Sequence, residues 1–329
     1  MRDLYEKFLD GAVPAAEWCA RQIYWRLPFL QQVSANKRRK KHTKPIDKFL
    51  TESQLRDALN LVGFAQRSPI TMVHSSTTHW QLKKDENSEP MSPLKTSVRT
   101  LEILMEINEE HGGTLVMPAT PVFKTPYSPF VSIKGNKEVY DPLRTPTKRG
   151  LINEFFRQQP GVKRSLHPLS TVACVGPLAD RLLEGNLGGE KPFAHGLTSA
   201  YYRIYKENGM IMSLGTSLDH YMTIGHVAED ICPNVFPDSF YRDFPFMLVT
   251  ENGFEDRTVK QRHPAANRCM SERALVRFLR RKGLLHKVAY DNVPFDWAMA
   301  GPLIDALLEF RNQRKTFPYF FLSLMTPCR

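Results

Sequence analysis

The sequence predicts an α/β protein with a largely parallel or mixed central sheet flanked by helices. Two kinds of segment alternate along the chain, namely stretches with apolar residues at helical spacing and short, continuous apolar runs of strand length. Apolar residues make up 42% of the chain and charged residues 24%, which is ordinary for a globular protein and excludes a disordered one. The 329 residues are enough to bury a large core.

The first helix of the main domain has the clearest signal. Thr51 and Gln54 match a capping box, and apolar residues then recur at i, i+3, i+4 and i+7 until Gly63 can end the helix. The elements predicted after it are strand 70–75, helix 97–110, strand 114–117, helix 151–159, strand 170–176, helix 178–183, strand 210–214 and helix 272–282. Residues 118–149 carry six prolines and predict a long irregular loop, which in a compact domain is usually functional or disordered.

Positive charge is concentrated near the N-terminus. Residues 1–50 contain 11 Lys and Arg against 5 Asp and Glu. Their net charge of +6 is more than half of the +11 of the whole chain. The run 37–41 is entirely basic, and the stretch 18–27 before it is both aromatic and basic. This composition suits a nucleic acid, an anionic membrane surface or an acidic partner. A solvated linker, or a helix packed on its own domain, fits equally well. We therefore predict a basic extension over 1–50 and a main domain over 51–329.

Other broad classes are excluded by simple counts. No apolar run reaches the ~18 residues of a membrane-spanning helix. The five cysteines are scattered without C-x-x-C spacing, which argues against a disulfide framework or a zinc site, so no metal is expected. Charges in the first turns of the chain argue against a secretory signal, and we therefore expect a cytoplasmic protein.

Histidine and hydroxyl residues follow the predicted strands, where ligands bind in open α/β sheets. His74, Ser75 and Ser76 end one strand, Asp219 follows another, and His167 precedes a third. A histidine is a natural general base for an amine or hydroxyl, and a carboxylate can fix its tautomer. The same residues can be purely structural, and the sequence lacks the Walker, G-x-G-x-x-G, H-E-x-x-H and G-x-S-x-G motifs.

A series of ordered motifs runs through the chain. The longest spans 141–176 and contains Ser-Leu-His-Pro at 165–168. The flanking motifs are Val-His-Ser-Ser at 73–76, Gly-Thr-Leu-Val-Met-Pro at 113–118, Leu-Gly-x-x-x-Asp at 214–219 and His-x-x-Glu at 226–229. Together they cover residues 50–290 and resemble the aminoglycoside 3-N-acetyltransferase family.

The resemblance implies acetyl transfer from acetyl-CoA to an amino group of an amino sugar or aminoglycoside-like acceptor. In that reading His167 is the general base and Asp219 its carboxylate partner, although the family often has Glu at that position. His226 and Glu229 are weaker candidates for substrate binding. The residues implied along the CoA channel are His74, Ser75, Ser76, Thr145 and Thr147, with Ser170 near the reacting end. Peripheral membrane contact and a homodimer stay open, and no nucleic-acid partner is expected.

The acceptor is expected to be neutral or anionic. A charge of +5 remains after residues 1–50 are removed, and Lys148, Arg149, Lys163 and Arg164 lie within twenty residues of His167. Like charges would oppose a polycationic drug. Two alternatives to this function stay open, namely O-acylation or transfer of another acyl group, and a nucleic-acid- or membrane-binding protein on an inactive scaffold.

Overall fold

The fold was examined in a computed structural model, which describes residues 2–27, 29–30, 32–33, 46–123, 137–220, 223–313 and 315–324. The basic run 37–41 lies outside these residues. The helices are α1 (Arg2–Arg26), α2 (Glu52–Val62), α3 (Pro93–Glu110), α4 (Leu151–Phe156), α5 (Ala179–Leu183), α6 (Ala200–Lys206), α7 (Val227–Asp230), α8 (Glu272–Arg281) and α9 (Ala300–Asn312). No described helix combines the length and hydropathy needed to cross a bilayer.

Among the described residues, the strands form a six-stranded central sheet and three smaller ones. They are β1 (Phe49–Thr51), β2 (Ile70–Ser75), β3 (Gln81–Lys83), β4 (Thr114–Pro118), β5 (Glu138–Tyr140), β6 (Lys163–Arg164), β7 (Val172–Val175), β8 (Met210–Leu214), β9 (Tyr241–Thr250), β10 (Gly253–Arg262), β11 (Ala289–Tyr290), β12 (Val293–Pro294) and β13 (Trp297–Met299). The central order is β13-β8-β2-β4-β7-β6. Strands β8, β2 and β4 are parallel, whereas β13, β7 and β6 run antiparallel to their neighbours, so the predicted sheet is of the mixed kind.

Helices cover both faces of this sheet. Along β2, Ile70 and Met72 join one buried cluster with α5, α6, α8 and α9, while Val73 joins a second cluster with α2, α3 and α4. This alternation follows from the two-residue period of a strand. The two apolar layers therefore confirm the predicted α/β architecture and leave the ends of the parallel strands as the place for a site.

Several predicted elements are present with shifted ends. Helix α2 has the predicted capping box between Thr51 and Gln54, and Gly63 ends it in a left-handed conformation. Helix α3 begins four residues before the predicted start because Ser92 caps it and Pro93 occupies its first turn. Strand β7 begins two residues late because Ser170 has a φ of +50°, outside the extended region.

The N-terminal segment is partly integrated into the main body. Trp18 packs against Phe321 with tilted rings whose centroids are 5.5 Å apart, and Arg21 Nη2 lies 3.4 Å from a carboxylate oxygen of Glu272. Strand β1 pairs in parallel with β3. The predicted boundary at residue 50 thus falls inside a strand, and α1 packs on its own protein rather than standing apart from it.

A long hairpin that the sequence analysis did not predict completes the region of the site. Strands β9 and β10 pair over ten residues each, and β5 joins β9 in parallel. Phe244, Phe246 and Val259 bury one face of this second sheet. The dipeptide Asn252–Gly253 at the turn is a strong hairpin signal, and it is the local feature that could have predicted these strands.

Candidate active site

Two neighbouring cavities open at the carboxyl ends of the parallel strands. The first, here the hydroxyl cavity, has a volume of about 430 Å³ and is lined by Pro93 and by residues 75–78 and 148–152. The second, here the histidine cavity, has a volume of about 260 Å³. Its charged and imidazole-bearing lining residues are Lys148, Arg149, His195, His226, Asp230, Lys260 and Arg262. Lys148 and Arg149 line both cavities, so the two spaces adjoin there.

The hydroxyl cavity is built on a turn that only glycine permits. Ser76 follows β2 and lies beside Gly215, which follows β8 with a φ of +72°. A Cβ at Gly215 would lie 2.2 Å from Ser76 O and 2.1 Å from Trp80 Nε1. Trp80 Nε1 also donates to Ser76 O at 2.8 Å. This close packing fixes the main chain that presents the Ser75 and Ser76 side chains.

His226 and Glu229 form a buried pair on the wall of the histidine cavity. His226 Nδ1 lies 2.9 Å from Glu229 Oε1, and both belong to the turn that opens α7. Glu229 Oε2 accepts from Arg262 Nη1 at 2.8 Å and from the Tyr319 hydroxyl at 3.0 Å. The carboxylate, which is 2% exposed, is therefore held in one orientation behind the imidazole.

The charges around this pair set its protonation state. Burial lowers the pKa of His226, the Arg262 guanidinium lowers it further, and Glu229 partly opposes both effects. Burial by itself would raise the pKa of Glu229, but His226 and Arg262 hold it well below its usual range. The pair is thus a neutral imidazole against an ionised carboxylate at neutral pH, the combination that a general base requires.

A second His–carboxylate pair lies beside the first. Asp230 follows Glu229 on α7, and the rotation of about 100° per helical residue turns it toward a different set of partners. Asp230 Oδ2 accepts from the His195 main-chain N–H at 2.9 Å and lies 3.1 Å from His195 Nδ1, while Oδ1 accepts from the Tyr241 hydroxyl at 3.0 Å. The His195 and His226 ring centroids are 5.2 Å apart. Sequence reasoning missed His195, which follows no strand and belongs to no motif.

His167 occupies a different environment from the one predicted. It is 3% exposed and is not among the residues that line either cavity. Its Nδ1 lies 2.9 Å from Leu169 O and its Nε2 3.4 Å from Pro192 O. Burial lowers its pKa to about 4, although these two carbonyls oppose the shift. The imidazole therefore links two segments of main chain behind the histidine cavity.

The expected pairing of Asp219 with His167 is not formed in the described part of the chain. The Asp219 carboxylate instead lies 2.5 Å from Arg280 Nη2 and 3.0 Å from Lys287 Nζ. Burial raises the pKa of Asp219, but Lys287 and Arg280 more than reverse this and lower it. The reason is that the loop after β8 carries Asp219 toward the basic helix α8.

The remaining predicted residues divide between the cavities and the scaffold. Ser75 and Ser76 line the hydroxyl cavity, and Ser170 lines the histidine cavity. His74 is buried within β2, and burial followed by the nearby Arg149 lowers its pKa to about 3. Thr147 Oγ1 donates to Thr120 O at 2.9 Å, and Thr145 Oγ1 accepts from the Asp141 main chain at 2.9 Å. Both threonine hydroxyls thus hold the proline-rich loop together.

Sequence comparison gives one coherent set of relatives. Residues 72–310 match the profile of the aminoglycoside 3-N-acetyltransferase family. An aminoglycoside N(3)-acetyltransferase III of Acinetobacter baumannii is 33% identical over 116 residues, which is 35% of this chain and 38% of that protein. An aminoglycoside N(3)-acetyltransferase VIII of Streptomyces fradiae is 36% identical over 92 residues, which is 27% of this chain and 31% of that protein. The aligned part is thus under two fifths of the length of these relatives.

Structure comparison extends the similarity to nearly the whole fold. A solved structure described as AAC-IIIb with CoASH superposes with a TM-score of 0.64 at 18% identity, covering 82% of this chain and 99% of that one. A structure of AAC-VIa bound to sisomicin gives a TM-score of 0.63 at 20% identity, covering 81% of this chain and 99% of that one. At these identities the superpositions establish a shared fold.

Proposed function

The chain belongs to the aminoglycoside 3-N-acetyltransferase family, and we propose that it transfers an acetyl group from acetyl-CoA to the amino group of an amino sugar or aminoglycoside-like acceptor. The observation that carries this proposal is the buried His226–Glu229 pair, which faces a cavity adjoining a second, hydroxyl-lined one. Acetyl transfer requires that donor and acceptor meet beside one base. Because Lys148 and Arg149 line both cavities, a donor in one cavity would lie next to an acceptor in the other.

The hydroxyl cavity is the proposed place of the donor. Hydroxyl side chains at positions 75–78 and the N-terminus of α4 present donors and acceptors that suit the amide groups of a pantetheine arm. A related protein was solved with CoASH bound, which agrees with this choice of donor. The Ser76 main-chain N–H already donates to Leu214 O at 2.9 Å, so the oxyanion of the tetrahedral intermediate would be stabilised by the hydroxyl groups that line the cavity.

The histidine cavity is the proposed place of the acceptor, with His226 as general base. With its proton on Nδ1, which lies 2.9 Å from Glu229 Oε1, His226 would have Nε2 as the basic nitrogen. Arg262 Nη2 lies 3.1 Å from Nε2, and the acceptor amine would replace this contact. As the amine nitrogen bonds to the thioester carbonyl carbon, Nε2 takes a proton from the nitrogen. The carbon–sulfur bond then breaks, and the protonated His226 gives its Nε2 proton to the CoA thiolate as it leaves, which restores the neutral base.

His167 receives a different role in this proposal from the one expected from the sequence. Its contacts with Leu169 and Pro192 support positioning of the segments that carry Ser170 and His195 into the histidine cavity. His167 as the base, with Asp219 beside it, is the rival assignment. It would require both side chains to leave their present partners.

The deciding experiment compares His226→Ala with His167→Gln in a coupled assay for free CoA thiol. We expect His226→Ala to lower kcat/KM by roughly 10²- to 10⁴-fold, the usual contribution of a general base, without loss of CoA binding measured by calorimetry. His167→Gln should retain most turnover wherever it folds, as judged by circular dichroism. Full turnover by His226→Ala together with inactivity of a folded His167→Gln enzyme would overturn the assignment in favour of His167.

The kind of bond formed is settled by the product. Mass spectrometry and hydroxylamine treatment separate a stable amide from a labile ester. We expect an amide, because residues 72–310 match a family that is named for N-acetylation. An ester product would replace N-acetylation by O-acylation at the same site.

A further inference from the structure

Positive charge is concentrated on the walls of the histidine cavity. Lys148, Arg149, Lys260 and Arg262 line it, and Asp230 is the carboxylate among its lining residues. The cations approach from two sides, since the first two belong to the loop before α4 and the other two to β10. Asp230 is already engaged with its histidine and tyrosine partners.

The described carboxylates do not balance the charges of Lys260 and Arg149. Arg262 is matched by Glu229. Asp243, however, is shared between Lys260 at 2.7 Å and Lys191 at 2.8 Å, so this trio keeps a positive charge. Arg149 donates Nε to Thr120 Oγ1 at 3.0 Å, and within the described residues no carboxylate forms an ion pair with it.

Two basic residues that the sequence placed near the site do not contribute to this excess. Arg164 is 9% exposed and its guanidinium contacts main-chain carbonyls, including Pro142 O at 3.3 Å. Lys163 is paired with Asp180 on α5, and it lines neither cavity. The excess positive charge is therefore that of Arg149 and of Lys260, which shares Asp243 with Lys191.

The donor does not account for this set by itself. In acetyl-CoA the phosphate groups are separated from the thioester by the whole pantetheine arm. The cationic side chains of the histidine cavity lie near the proposed general base. They would therefore face the thioester end of bound acetyl-CoA, which carries no phosphate. Lys260, moreover, lines the histidine cavity and not the hydroxyl cavity.

The volume of the cavity favours a small acceptor. About 260 Å³ falls below the roughly 300–1,000 Å³ that is typical of pockets for drug-sized ligands. A single sugar ring with its substituents suits this space better than a three-ring aminoglycoside. A polycation would also bring several ammonium groups to a wall that already repels them.

We propose that the acceptor is an amino sugar monophosphate, whose phosphate binds between Lys148, Arg149 and Lys260 while its amine faces His226. This inference rests on the proposed acetyl transfer and specifies its substrate class. Arg and Lys are the side chains that bind phosphate most strongly, and two sides of the cavity supply them. The phosphate would also fix the distance from the amine to the base.

The test is steady-state kinetics with acetyl-CoA and four acceptors, namely glucosamine 6-phosphate, glucosamine 1-phosphate, glucosamine and gentamicin. We expect kcat/KM for at least one phosphate to exceed that for glucosamine by roughly 10- to 100-fold, the worth of one or two charge-assisted hydrogen bonds. The preference should fall as salt is raised. Equal or higher kcat/KM for glucosamine or gentamicin would overturn the proposal.

Variants then locate the phosphate. Arg149→Gln and Lys260→Gln should each reduce the phosphate-to-glucosamine ratio of kcat/KM by about tenfold. The ratio is informative because any effect on CoA binding is common to both acceptors and cancels. Arg144→Gln is the matched control, since that side chain is 90% exposed on the same loop and lines neither cavity. An unchanged ratio in both cavity variants would refute the phosphate site.

The kinetic results distinguish a wrong reaction from a wrong acceptor class. Absence of CoA release with all four acceptors would contradict both the proposed acetyl transfer and the inference built on it. Turnover of amines without preference for a phosphate would leave the acetyl transfer intact and reject only the acceptor class.

Discussion

His226 and Glu229 are joined by a 2.9 Å contact between Nδ1 and Oε1, three residues apart at the start of one short helix. Neither side chain would hold this geometry alone. Arg262 and the Tyr319 hydroxyl bind the other carboxylate oxygen and come from segments far along the chain. The candidate base is thus a local sequence motif that distant residues orient.

Glu229→Gln is expected to reduce both activity and stability. The amide no longer favours the imidazolium that forms during attack, so kcat/KM should fall by roughly tenfold or more. Arg262 loses its counter-charge, and since its side chain is 22% exposed we expect a cost of about 2 kcal/mol, less than for a fully buried pair. Urea unfolding and the thiol assay measure the two effects. Glu255→Gln, in an exposed pair with Arg257 on the hairpin, is the control and should change neither.

Acidification below the ordinary histidine pKa should destabilise the protein through its buried neutral imidazoles. Burial lowers the pKa of His167 to about 4 and that of His74 to about 3. Between pH 6.5 and 4 the unfolded chain binds protons that the native state does not, so the free energy of unfolding falls as pH falls. Each group contributes a few kcal/mol, to order of magnitude.

The measurement is the urea midpoint at several pH values from 7 to 4.5 for the wild type and His167→Gln. The variant should show a shallower dependence because one of the linked groups is gone. His111→Gln, at an exposed position, serves as control and should follow the wild type. If the urea midpoint depended on pH equally in His167→Gln and in the wild type, the titration of His167 would not contribute to acid destabilisation.

The pH profile of activity should have its acidic limb below about 6.5, because burial and then Arg262 lower the pKa of His226. The base works in its neutral form, so kcat/KM rises with pH through that lowered pKa and then levels until other groups titrate. Arg262→Lys is informative, because the shorter side chain draws the positive charge away from the imidazole, so the pKa of His226 should rise and the acidic limb should move to higher pH. A limb at or above the ordinary histidine value would argue against His226 as the base.

Gly215→Ala should cost at least about 2 kcal/mol of stability, and more than Gly283→Ala. Both glycines have a positive φ, of +72° and +68°, so both variants include the left-handed penalty of about 1 kcal/mol. Only at Gly215 would the new Cβ overlap neighbouring atoms, at 2.2 Å from Ser76 O, whereas nothing lies within 4 Å at Gly283. Thermal and urea unfolding of the pair separate steric overlap from conformational strain. Equal losses of stability in the two variants would show that the Ser76 main chain can move away from the new Cβ at little cost.

Asp219→Asn tests the pairing expected from the sequence. Because Asp219 contacts Arg280 and Lys287, its loss should lower stability by less than about 1 kcal/mol and leave kcat/KM within a few-fold of the wild type. Arg280→Gln should show a similarly small effect. A loss of activity as deep as that of His226→Ala would instead support Asp219 as a partner of the base.

The sequence was sufficient to predict the elements whose structure is determined by residues close together in the chain. The capping box of Thr51 and Gln54 and the apolar face of α2 are confirmed, because caps and helical periodicity are set within a few residues. The buried strand Met210–Leu214 is likewise confirmed, and with it the strand-end position of Ser75 and Ser76, which pair alongside it. The motifs were also sufficient to identify the family, because several of them occur in the family's order along the chain.

The tertiary structure alone decided which histidine faces a cavity. His167 and His226 both lie in motifs, and nothing in their local sequence reveals that the first is enclosed by the carbonyls of Leu169 and Pro192. Arg262 and Lys260 reach the site on a hairpin whose pairing brings residues from distant parts of the sequence together. Side-chain partners across such separations depend on how sheets and loops pack, and packing is a property of the folded chain rather than of any short stretch of it.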